Sequence, residues 1–262
     1  MYWYTGQLIN SNKIELPIND PALLYGATIF TTMRTYQNNL NHPHTNWKSH
    51  QKRLQTSLET LDWPQPDWQQ IEKGLQTLIP HWPVLRITIF ADKRELITGR
   101  QIPPDLENRA TKGITAWLSQ NPNHSRTLPN HKTGNYLSAW LALQTAQKNN
   151  ASEAILTDSQ GNWLETSTGN LWGWKNNQWH TPPDTAGILP GVAKQQLLNW
   201  LKMPPDTQPW TPELVCQFET LAYTNCVVEL IPIHTVLTPT GPLSYNPQHP
   251  ATHALKKYWL GS

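Results

Sequence analysis

Three groups of residues in this chain have the types and the order needed to hold a cofactor that carries an aldehyde and a phosphate. Lys132, in the segment His131–Leu137, supplies an amine that can form an imine with an aldehyde. Glu165, at the end of a short apolar strand, supplies a carboxylate for a protonated ring nitrogen. The turn Leu189–Ala193 opens a helix, where backbone N–H groups bind phosphate. Together these groups indicate pyridoxal phosphate.

Length, charge and cysteine content narrow the class of protein. The chain has 262 residues, enough for two medium domains, and a formal net charge of +2. This charge balance gives no reason to expect nucleic acid or a membrane as a partner. The two cysteines, Cys216 and Cys226, have no ligand cluster around them, so we expect neither a disulfide framework nor a metal site. Without a membrane-length apolar run or an evident signal peptide, the expected location is the cytoplasm.

Apolar periodicity predicts two α+β domains joined by a polar linker. The proline-punctuated segment 119–130 is the predicted linker between an N-terminal domain, 1–118, and a C-terminal domain, 131–262. In the first domain we predict strands at 2–4, 7–9, 28–36, 84–90 and 114–118, and helices at 47–61 and 68–78. In the second we predict helices at 136–148, from 191, and at 251–260, with strands at 154–158, 163–165, 171–174, 178–181 and 220–225. The segment 227–232 leads to the last strands.

Five motifs resemble those of the fold-type IV pyridoxal-phosphate enzymes, a family of branched-chain aminotransferases, D-amino-acid aminotransferases and 4-amino-4-deoxychorismate lyases. In chain order they are Leu24–Phe30, like Tyr-Gly-Asp-Gly-x-Phe; His50–Leu54, like His-x-x-Arg-Leu; Lys132–Leu137, like the Schiff-base segment; Glu165–Leu171, like Glu-x-x-x-x-Asn-Φ; and Leu189–Val192, like Leu-Pro-Gly-Ile. The resemblance implies the two-domain α+β fold of the D-amino-acid aminotransferases, with pyridoxal phosphate as the cofactor and a homodimer as the assembly.

The resemblance also implies a role for individual residues. Lys132 is the catalytic amine that holds the cofactor, and Glu165 faces its pyridine nitrogen. Arg53 binds the phosphate together with the backbone N–H groups of Val192 and Ala193.

Three positions depart from the pattern around the phosphate. Asn225 and Cys226 lie at a further cofactor contact, but Cys226 stands where relatives have Thr or Ser. The family often has a threonine at the position of Ala193 and an arginine at that of Lys194. With fewer hydroxyl contacts, phosphate affinity is expected to depend more on Arg53 and on the main chain.

Two details resemble the lyase branch of the family. Phe30-Thr31-Thr32 is similar to the Phe-Thr-Thr of aminodeoxychorismate lyases, where aminotransferases usually carry an acidic residue after the aromatic, and Thr224-Asn225 is similar to a lyase Thr-Asn pair. A glycine-rich segment with a central arginine, which often follows the middle strand, is replaced here by Phe90–Glu95. We therefore expect substrate contacts from Phe30, Thr32, Arg86 and Arg94, with Lys93, Arg100 and Arg126 as open alternatives for the substrate carboxylates.

The leading hypothesis is a lyase that converts 4-amino-4-deoxychorismate to 4-aminobenzoate and pyruvate, a step toward folate. A branched-chain or D-amino-acid aminotransferase is the first alternative, because it would use the same amine and carboxylate. A non-catalytic protein with this fold is the second alternative, motivated by Ala27, Thr28 and Ala193, where the family motif has other residues.

Overall fold

The computed structural model describes residues 1–260, and the last two residues of the predicted C-terminal domain, at 261 and 262, lie outside the described residues. The chain divides into two compact units. The first contains Met1–Pro103 together with the short segment His131–Asn135, and the second contains Pro104–Asn130 and the chain from Tyr136 onward.

The first unit is built on a five-stranded antiparallel sheet. Its elements are β1 (Tyr2–Tyr4), β2 (Gln7–Ile9), α1 (Pro21–Tyr25), β3 (Thr28–Arg34), α2 (Trp47–Thr60), α3 (Trp68–Leu78), β4 (Val84–Phe90) and β5 (Glu95–Arg100). The strands lie in the order β2-β1-β5-β4-β3. Each pairing is antiparallel, which suits strands joined by short hairpins and by the helical excursion between β3 and β4.

Alternation along the strands gives this sheet two different faces. One face packs on α2 and α3 through buried aliphatic side chains, including Ile29 and Met33 of β3 and Ile87 and Ile89 of β4. Because successive side chains of a strand point to opposite faces, the even-numbered residues of β3 and β4 lie on the other face. The register pairs Phe30 with Thr88, Thr32 with Arg86 and Arg34 with Val84 on that face.

The segment that carries Lys132 attaches to the edge of the same sheet. The N–H of Phe30 donates to the carbonyl of Lys132 (2.8 Å), and the N–H of Gly134 donates to the carbonyl of Thr28 (2.6 Å). Gly134 lies so close to Thr28 that a Cβ at this position would overlap the Thr28 hydroxyl. These bonds assign residues 131–135 to the first unit, whereas the sequence analysis placed them in the second domain.

The second unit is built on an eight-stranded mixed sheet. Its elements are α4 (Leu106–Lys112), β6 (Ile114–Leu118), α5 (Leu137–Lys148), β7 (Glu153–Thr157), β8 (Trp163–Thr166), β9 (Asn170–Lys175), β10 (Gln178–His180), α6 (Val192–Leu201), α7 (Pro212–Val215), β11 (Thr220–Asn225), β12 (Glu229–Thr238), β13 (Gly241–Ser244) and α8 (Pro250–Leu260). The strand order is β10-β9-β11-β12-β6-β7-β8, and β13 pairs with β12. Strand β6 runs parallel to both β12 and β7, so it belongs to this unit and not to the predicted domain 1–118.

Helices pack against the sheet of the second unit and form two separate hydrophobic cores with it. Tryptophan and leucine side chains of α6, α8, β9 and β10 form one core, which includes Trp172, Trp179, Leu197 and Leu255. Small alanines of α5 and β7 form the other, so that α5 approaches the sheet closely. Within residues 1–260, no helix combines the length and the apolar character needed to span a membrane.

Candidate active site

Lys132 lies beside an aromatic ring of the first unit. Its Nζ is 5.0 Å from the centroid of the Phe30 ring, and the guanidinium carbon of Arg86 is 3.6 Å from the same centroid. Phe30 itself is buried, and Lys132 and its neighbour His131 are partly buried. A ring that faces two cations attracts both through its π electrons, so Phe30 helps to hold the Lys132 amine near β3.

Helix α2 brings Arg53 to the same strand. Arg53 Nη2 donates a hydrogen bond to the hydroxyl of Thr31, and that hydroxyl lies 2.6 Å from Nδ1 of His50. Arg53 can only donate, so the Thr31 hydroxyl accepts from it and keeps its own proton to give. In a neutral His50 with its ring proton on Nε2, Nδ1 accepts that hydroxyl proton, and the Thr31 hydroxyl orients the Arg53 guanidinium.

The electrostatics around His50 favour its neutral form. Burial lowers the pKa of His50 well below its usual value, and the positive charges of Arg53 and Lys132 lower the pKa further. Both charges therefore act on the same buried imidazole. The sequence separates Lys132 from Arg53 widely, but the first unit brings both cations to His50.

We expect this histidine to make the protein less stable in mild acid. When the pH falls below about 6.5, the unfolded chain binds a proton on His50 that the native chain excludes, so the free energy of unfolding decreases. From about pH 7.5 to about pH 5.5, His50 alone accounts for a loss of up to about 1.4 kcal/mol. Urea denaturation of wild type and His50→Gln at both pH values measures this loss.

His124 provides a background that cancels in this comparison. Burial also lowers the pKa of His124, but that histidine is present in both proteins. The acid-induced loss of stability is thus expected to be smaller in His50→Gln by the amount assigned to His50. Equal losses in the two proteins would contradict a buried, neutral His50.

Three of the four predicted substrate residues lie on one face of the first sheet. Phe30, Thr32 and Arg86 share this face through the β3–β4 register, with Arg86 Nε 3.5 Å from the Thr88 hydroxyl. Arg34 projects from the same face and lies over the ring of Tyr36, 5.1 Å from its centroid. The face offers cations and hydroxyls next to the Lys132 segment.

Arg94, the fourth predicted substrate residue, already binds other side chains of the protein. It donates to Asp20 Oδ2 (2.6 Å), Asp92 Oδ2 (2.6 Å) and the hydroxyl of Tyr4 (2.8 Å). Arg94 also lies over the ring of Phe90, 4.5 Å from its centroid. Because two carboxylates and a phenol already occupy its donors, Arg94 holds the β4–β5 turn to the start of α1, and we do not retain it as a substrate contact.

In the second unit, Glu165 is a buried carboxylate with two different partners. Arg126 Nη1 donates to Glu165 Oε1 at 2.6 Å, and both side chains are almost inaccessible to solvent. The backbone N–H of Leu189 donates to Glu165 Oε2 at 3.2 Å. The Arg126 guanidinium also lies 5.5 Å from the centroid of the Tyr136 ring. Glu165 is thus an ion-paired carboxylate, not an edge residue that faces water.

The turn before α6 is built around Asn170. The Asn170 amide donates to the carbonyl of Leu189 (2.8 Å), and its oxygen lies where a Cβ on Gly191 would be. Only glycine fits this close approach. Gly191 is the N-cap of α6 and provides no side-chain cap, so the first N–H groups of the helix, at Val192 and Ala193, are available to an anion.

Lys194 occupies the third position of α6 and is fully buried. Its Nζ donates to the carbonyl of Pro182 (2.6 Å) and to Asp184 Oδ1 (2.7 Å). Burial lowers the pKa of Lys194, whereas the hydrogen bond to Asp184 acts in the opposite direction. Lys194 therefore fastens the segment before the glycine turn to α6, a role that the sequence alone did not indicate.

Asn225 and Cys226 lie at the turn between β11 and β12. Asn225 Oδ1 accepts the N–H groups of Val227 (2.9 Å) and Val228 (3.0 Å), and its amide donates to the carbonyl of Thr168 (3.2 Å). The Asn225 side chain thus shapes the turn with both its amide oxygen and its NH₂ group, and the neighbouring Cys226 is partly buried.

Comparison with known proteins identifies the family. The model of the family described as amino-transferase class IV matches residues 28–236. The chain belongs to this family. A branched-chain-amino-acid aminotransferase of Salmonella typhimurium strain LT2 is 22% identical over 230 residues, which cover 76% of this chain and 72% of that protein. Its Escherichia coli K12 counterpart is 30% identical over 99 residues, which cover 37% of this chain and 31% of that protein.

Several solved structures share the fold of this chain over almost its whole length. The E. coli branched-chain amino acid aminotransferase has a TM-score of 0.80 at 21% identity and covers 99% of this chain and 93% of its own. A PLP-bound hypothetical aminotransferase of Mycobacterium tuberculosis has a TM-score of 0.81 at 17% identity and covers 97% of this chain and 96% of its own. A proposed 4-amino-4-deoxychorismate lyase of Legionella pneumophila has a TM-score of 0.78 at 18% identity and covers 95% of this chain and 96% of its own. The predicted two-domain α+β fold of fold-type IV is confirmed.

The class IV family implies pyridoxal phosphate (PLP), and the donor groups of this chain fit it. The first unit offers an amine, Lys132, and a guanidinium, Arg53, that is oriented by a neutral hydroxyl. The second offers a buried carboxylate, Glu165, and a helix N-terminus that no side chain caps. PLP needs an imine-forming amine, cationic and N–H partners for its phosphate and an acidic partner for its ring nitrogen, and all these groups are present.

The motifs that resembled this family did not reveal several contacts around its candidate residues. These are the Arg126–Glu165 ion pair, the Thr31–His50 hydrogen bond and the Asn170–Leu189 bond. The sequence did mark Asn170 as a candidate, because it belongs to the Glu-x-x-x-x-Asn motif. Arg126 was an open candidate for a substrate carboxylate, and nothing in its neighbourhood along the chain pointed to Glu165.

Proposed function

We propose that this class IV protein is a PLP-dependent lyase that converts 4-amino-4-deoxychorismate to 4-aminobenzoate and pyruvate, a step in making folate precursors. The observation that carries the proposal is the pair Thr31-Thr32 directly after Phe30 on β3. Aminotransferases of the family usually have an acidic residue at the position of Thr31. The two threonines have opposite orientations, and each supports a different part of the proposal.

Thr31 supports the binding of the cofactor phosphate. Its hydroxyl accepts from Arg53 and donates to His50, so the partner of Arg53 at this position is neutral. A carboxylate at position 31 would compensate the charge of Arg53 directly. With threonine, no carboxylate compensates the guanidinium charge, which is then available to the phosphate. This suits a chain that lacks the family threonine at Ala193.

Thr32 supports the choice of substrate. It lies beside Arg86 on the face of the sheet that also carries Phe30. Aminodeoxychorismate has an unsaturated cyclohexadiene ring and two carboxylates, for which an aromatic side chain, a hydroxyl and a guanidinium are suitable partners. The Thr224 hydroxyl, by contrast, accepts from the Trp172 indole (2.9 Å), so the lyase-like Thr224 is a buried structural residue.

When bound, PLP would supply an electron sink that makes the carbon next to the substrate nitrogen acidic. Lys132 then has two tasks: its amine removes the proton from that carbon, and it returns a proton to the methylene carbon of the departing enolpyruvyl group. Glu165 keeps a negative charge for the ring nitrogen, and Arg53 holds the phosphate. The substrate divides into its two products without addition or loss of atoms, and aromatisation favours the forward direction.

Product analysis tests this proposal. Purified protein loaded with PLP is incubated with 4-amino-4-deoxychorismate, and 4-aminobenzoate and pyruvate are measured separately. We expect the two products in equal amounts, without any amino acceptor. If neither product forms, and the protein transfers an amino group from a branched-chain or D-amino acid to 2-oxoglutarate, the lyase proposal is wrong.

An aminotransferase is the second candidate, favoured by one specific observation. The curated relatives reported above, at 22% and 30% identity, are branched-chain-amino-acid aminotransferases. Such an activity would use Lys132, Glu165 and Arg53 in the same roles, but it would return the proton to the cofactor side. The product assay above distinguishes the two activities, because only the lyase releases an aromatic amine.

We also propose that the protein assembles as a homodimer. Helix α5 exposes an apolar stripe of Leu137 (58% exposed), Trp140 (51%) and Leu141 (37%), spaced so that they share one helix face. Exposed apolar patches of this kind are typical of interfaces between proteins. A second copy of the chain is the partner that the family resemblance implies.

Substituting Trp140 with glutamate is expected to convert the dimer to a monomer of 30.0 kDa, because a charge would be buried at the contact. Analytical ultracentrifugation measures the mass. Trp200→Glu is the matched control, since Trp200 is exposed to a similar extent on α6, and this variant is expected to remain dimeric. Wild-type protein that sediments as a monomer, or Trp140→Glu that remains a dimer, would contradict an α5 interface.

A further inference from the structure

Glu153 is a buried carboxylate for which the proposed reaction has so far given no role. It begins β7 and has 3% of its surface exposed. The hydroxyl of Ser167 donates to Glu153 Oε2 and that of Thr168 donates to Glu153 Oε1, each at 2.5 Å. Burial raises the pKa of Glu153, while the two hydroxyls and the nearby charge of Arg109 oppose the shift. The carboxylate thus binds two adjacent residues of one turn.

A second buried pair adjoins this carboxylate. Arg109 of α4 donates to the hydroxyl of Tyr223 at 2.6 Å. Burial raises the pKa of Tyr223, with the charge of Glu153 acting in the same direction and that of Arg109 in the opposite one. Both charges therefore act on the Tyr223 hydroxyl, and the three side chains form one buried polar cluster.

The turn that Glu153 holds, residues 166–169, directly follows Glu165. Its backbone is bound on two sides: the Tyr136 hydroxyl donates to the carbonyl of Ser167 (3.3 Å), and the Asn225 amide donates to the carbonyl of Thr168 (3.2 Å). Asn225 in turn caps the start of the β11–β12 turn. One carboxylate is thereby connected through the turn to Tyr136 and to Asn225.

We infer that Glu153 is a positioning residue of the active site: by fixing the turn 166–169, it sets the places of Tyr136, Asn225 and the end of the strand that carries Glu165. This role rests on the proposed PLP function. The carboxylate makes both hydroxyls donors at once, which no neutral side chain of the same shape can do. Glutamine would accept from one hydroxyl but present an NH₂ group to the other, so the turn would lose one of its two hydrogen bonds to residue 153.

The test substitution is Glu153→Gln, examined with PLP bound. We expect kcat to fall by about 10- to 100-fold, because small misplacements of reacting groups have effects of this size, and KM to change much less. We also expect the visible circular dichroism of bound PLP to change, since this signal reports the asymmetry around the cofactor and needs no substrate. Ser167→Ala removes one anchor alone and is expected to cause a smaller change of the same kind.

Glu95→Gln is the matched control. Glu95 is equally buried, but it belongs to the first unit, where its carboxylate accepts from Trp3 (3.1 Å), Gly6 (2.7 Å) and Gln70 (2.8 Å). This variant is expected to lower the melting temperature and leave both kcat and the circular dichroism signal of PLP unchanged.

The outcomes separate this inference from the proposed function. If Glu153→Gln binds PLP and differs from wild type only in melting temperature, as Glu95→Gln is expected to do, the positioning role is wrong and the proposed function stands. If Glu153→Gln does not fold, Ser167→Ala decides by the same two measurements. If wild-type protein itself binds no PLP, the proposed function fails first.

Discussion

Replacing Lys132 with alanine is expected to lower kcat by about 10⁴-fold and to remove the visible absorbance of lysine-bound PLP. The amine serves both as the link to the cofactor and as the group that moves the proton, and proton transfer alone contributes up to about this factor. Steady-state kinetics of product formation give kcat, and absorbance before and after borohydride treatment shows whether the link forms.

Two comparisons make the effect specific to this amine. Lys52→Ala removes an exposed lysine of α2, in the same unit and next to Arg53, and is expected to keep both activity and absorbance. Adding a small primary amine to Lys132→Ala is expected to restore part of the rate, because it replaces the missing proton carrier. If Lys132→Ala retained full activity or the borohydride-sensitive band, another amine would have to hold the cofactor.

The strongest secondary-structure predictions succeeded where one face of an element is continuously apolar. Strand β4 and helix α3 were predicted at the residues where they occur, since each presents a regular apolar face to the same core. Helix α4, by contrast, has no buried side chain and so no apolar period to detect. Strand β5 was missed because it follows a charged turn, and its first residue, Glu95, is a buried carboxylate that breaks the apolar alternation.

The division of the chain into units depends on pairings that local sequence does not encode. Strand β6 pairs with β12 far along the chain, and the Lys132 segment pairs with β3 far before it. Composition could mark 119–130 as irregular and polar, which it is, apart from a short 3₁₀ turn at Pro122–His124. Composition could not show that the chain enters the second unit already at Pro104 and returns to the first only for His131–Asn135.

The same limit applies to the candidate site. Motifs identified Lys132, Arg53 and Glu165 as candidate site residues, but the partner of each arginine follows from long-range folding. Arg94 meets Asp20, and Arg126 meets Glu165, across long stretches of chain with no helical or strand spacing between them. This is why five basic residues remained open for the substrate carboxylates, and why two of them turned out to have buried acidic partners.

Glu165→Gln is expected to lower kcat by about 10²- to 10³-fold, the range found when a preorganised electrostatic partner is removed from a reacting group. Glutamine can still accept the N–H of Leu189 through its carbonyl oxygen, so the turn before α6 should keep its shape. It lacks the negative charge that the protonated ring nitrogen of PLP requires. Single-turnover kinetics with saturating substrate would show the loss in the chemical step, with little change in the affinity for PLP.

The ion pair complicates this variant and also provides its control. Glu165→Gln leaves Arg126 buried without its carboxylate, which is expected to reduce the free energy of unfolding by about 3–5 kcal/mol. Arg126→Met combined with Glu165→Gln removes both charges, so stability should largely return while kcat stays low. If the double variant recovered activity together with stability, Glu165 would act only as the partner of Arg126, and its assignment to the ring nitrogen would have to be abandoned.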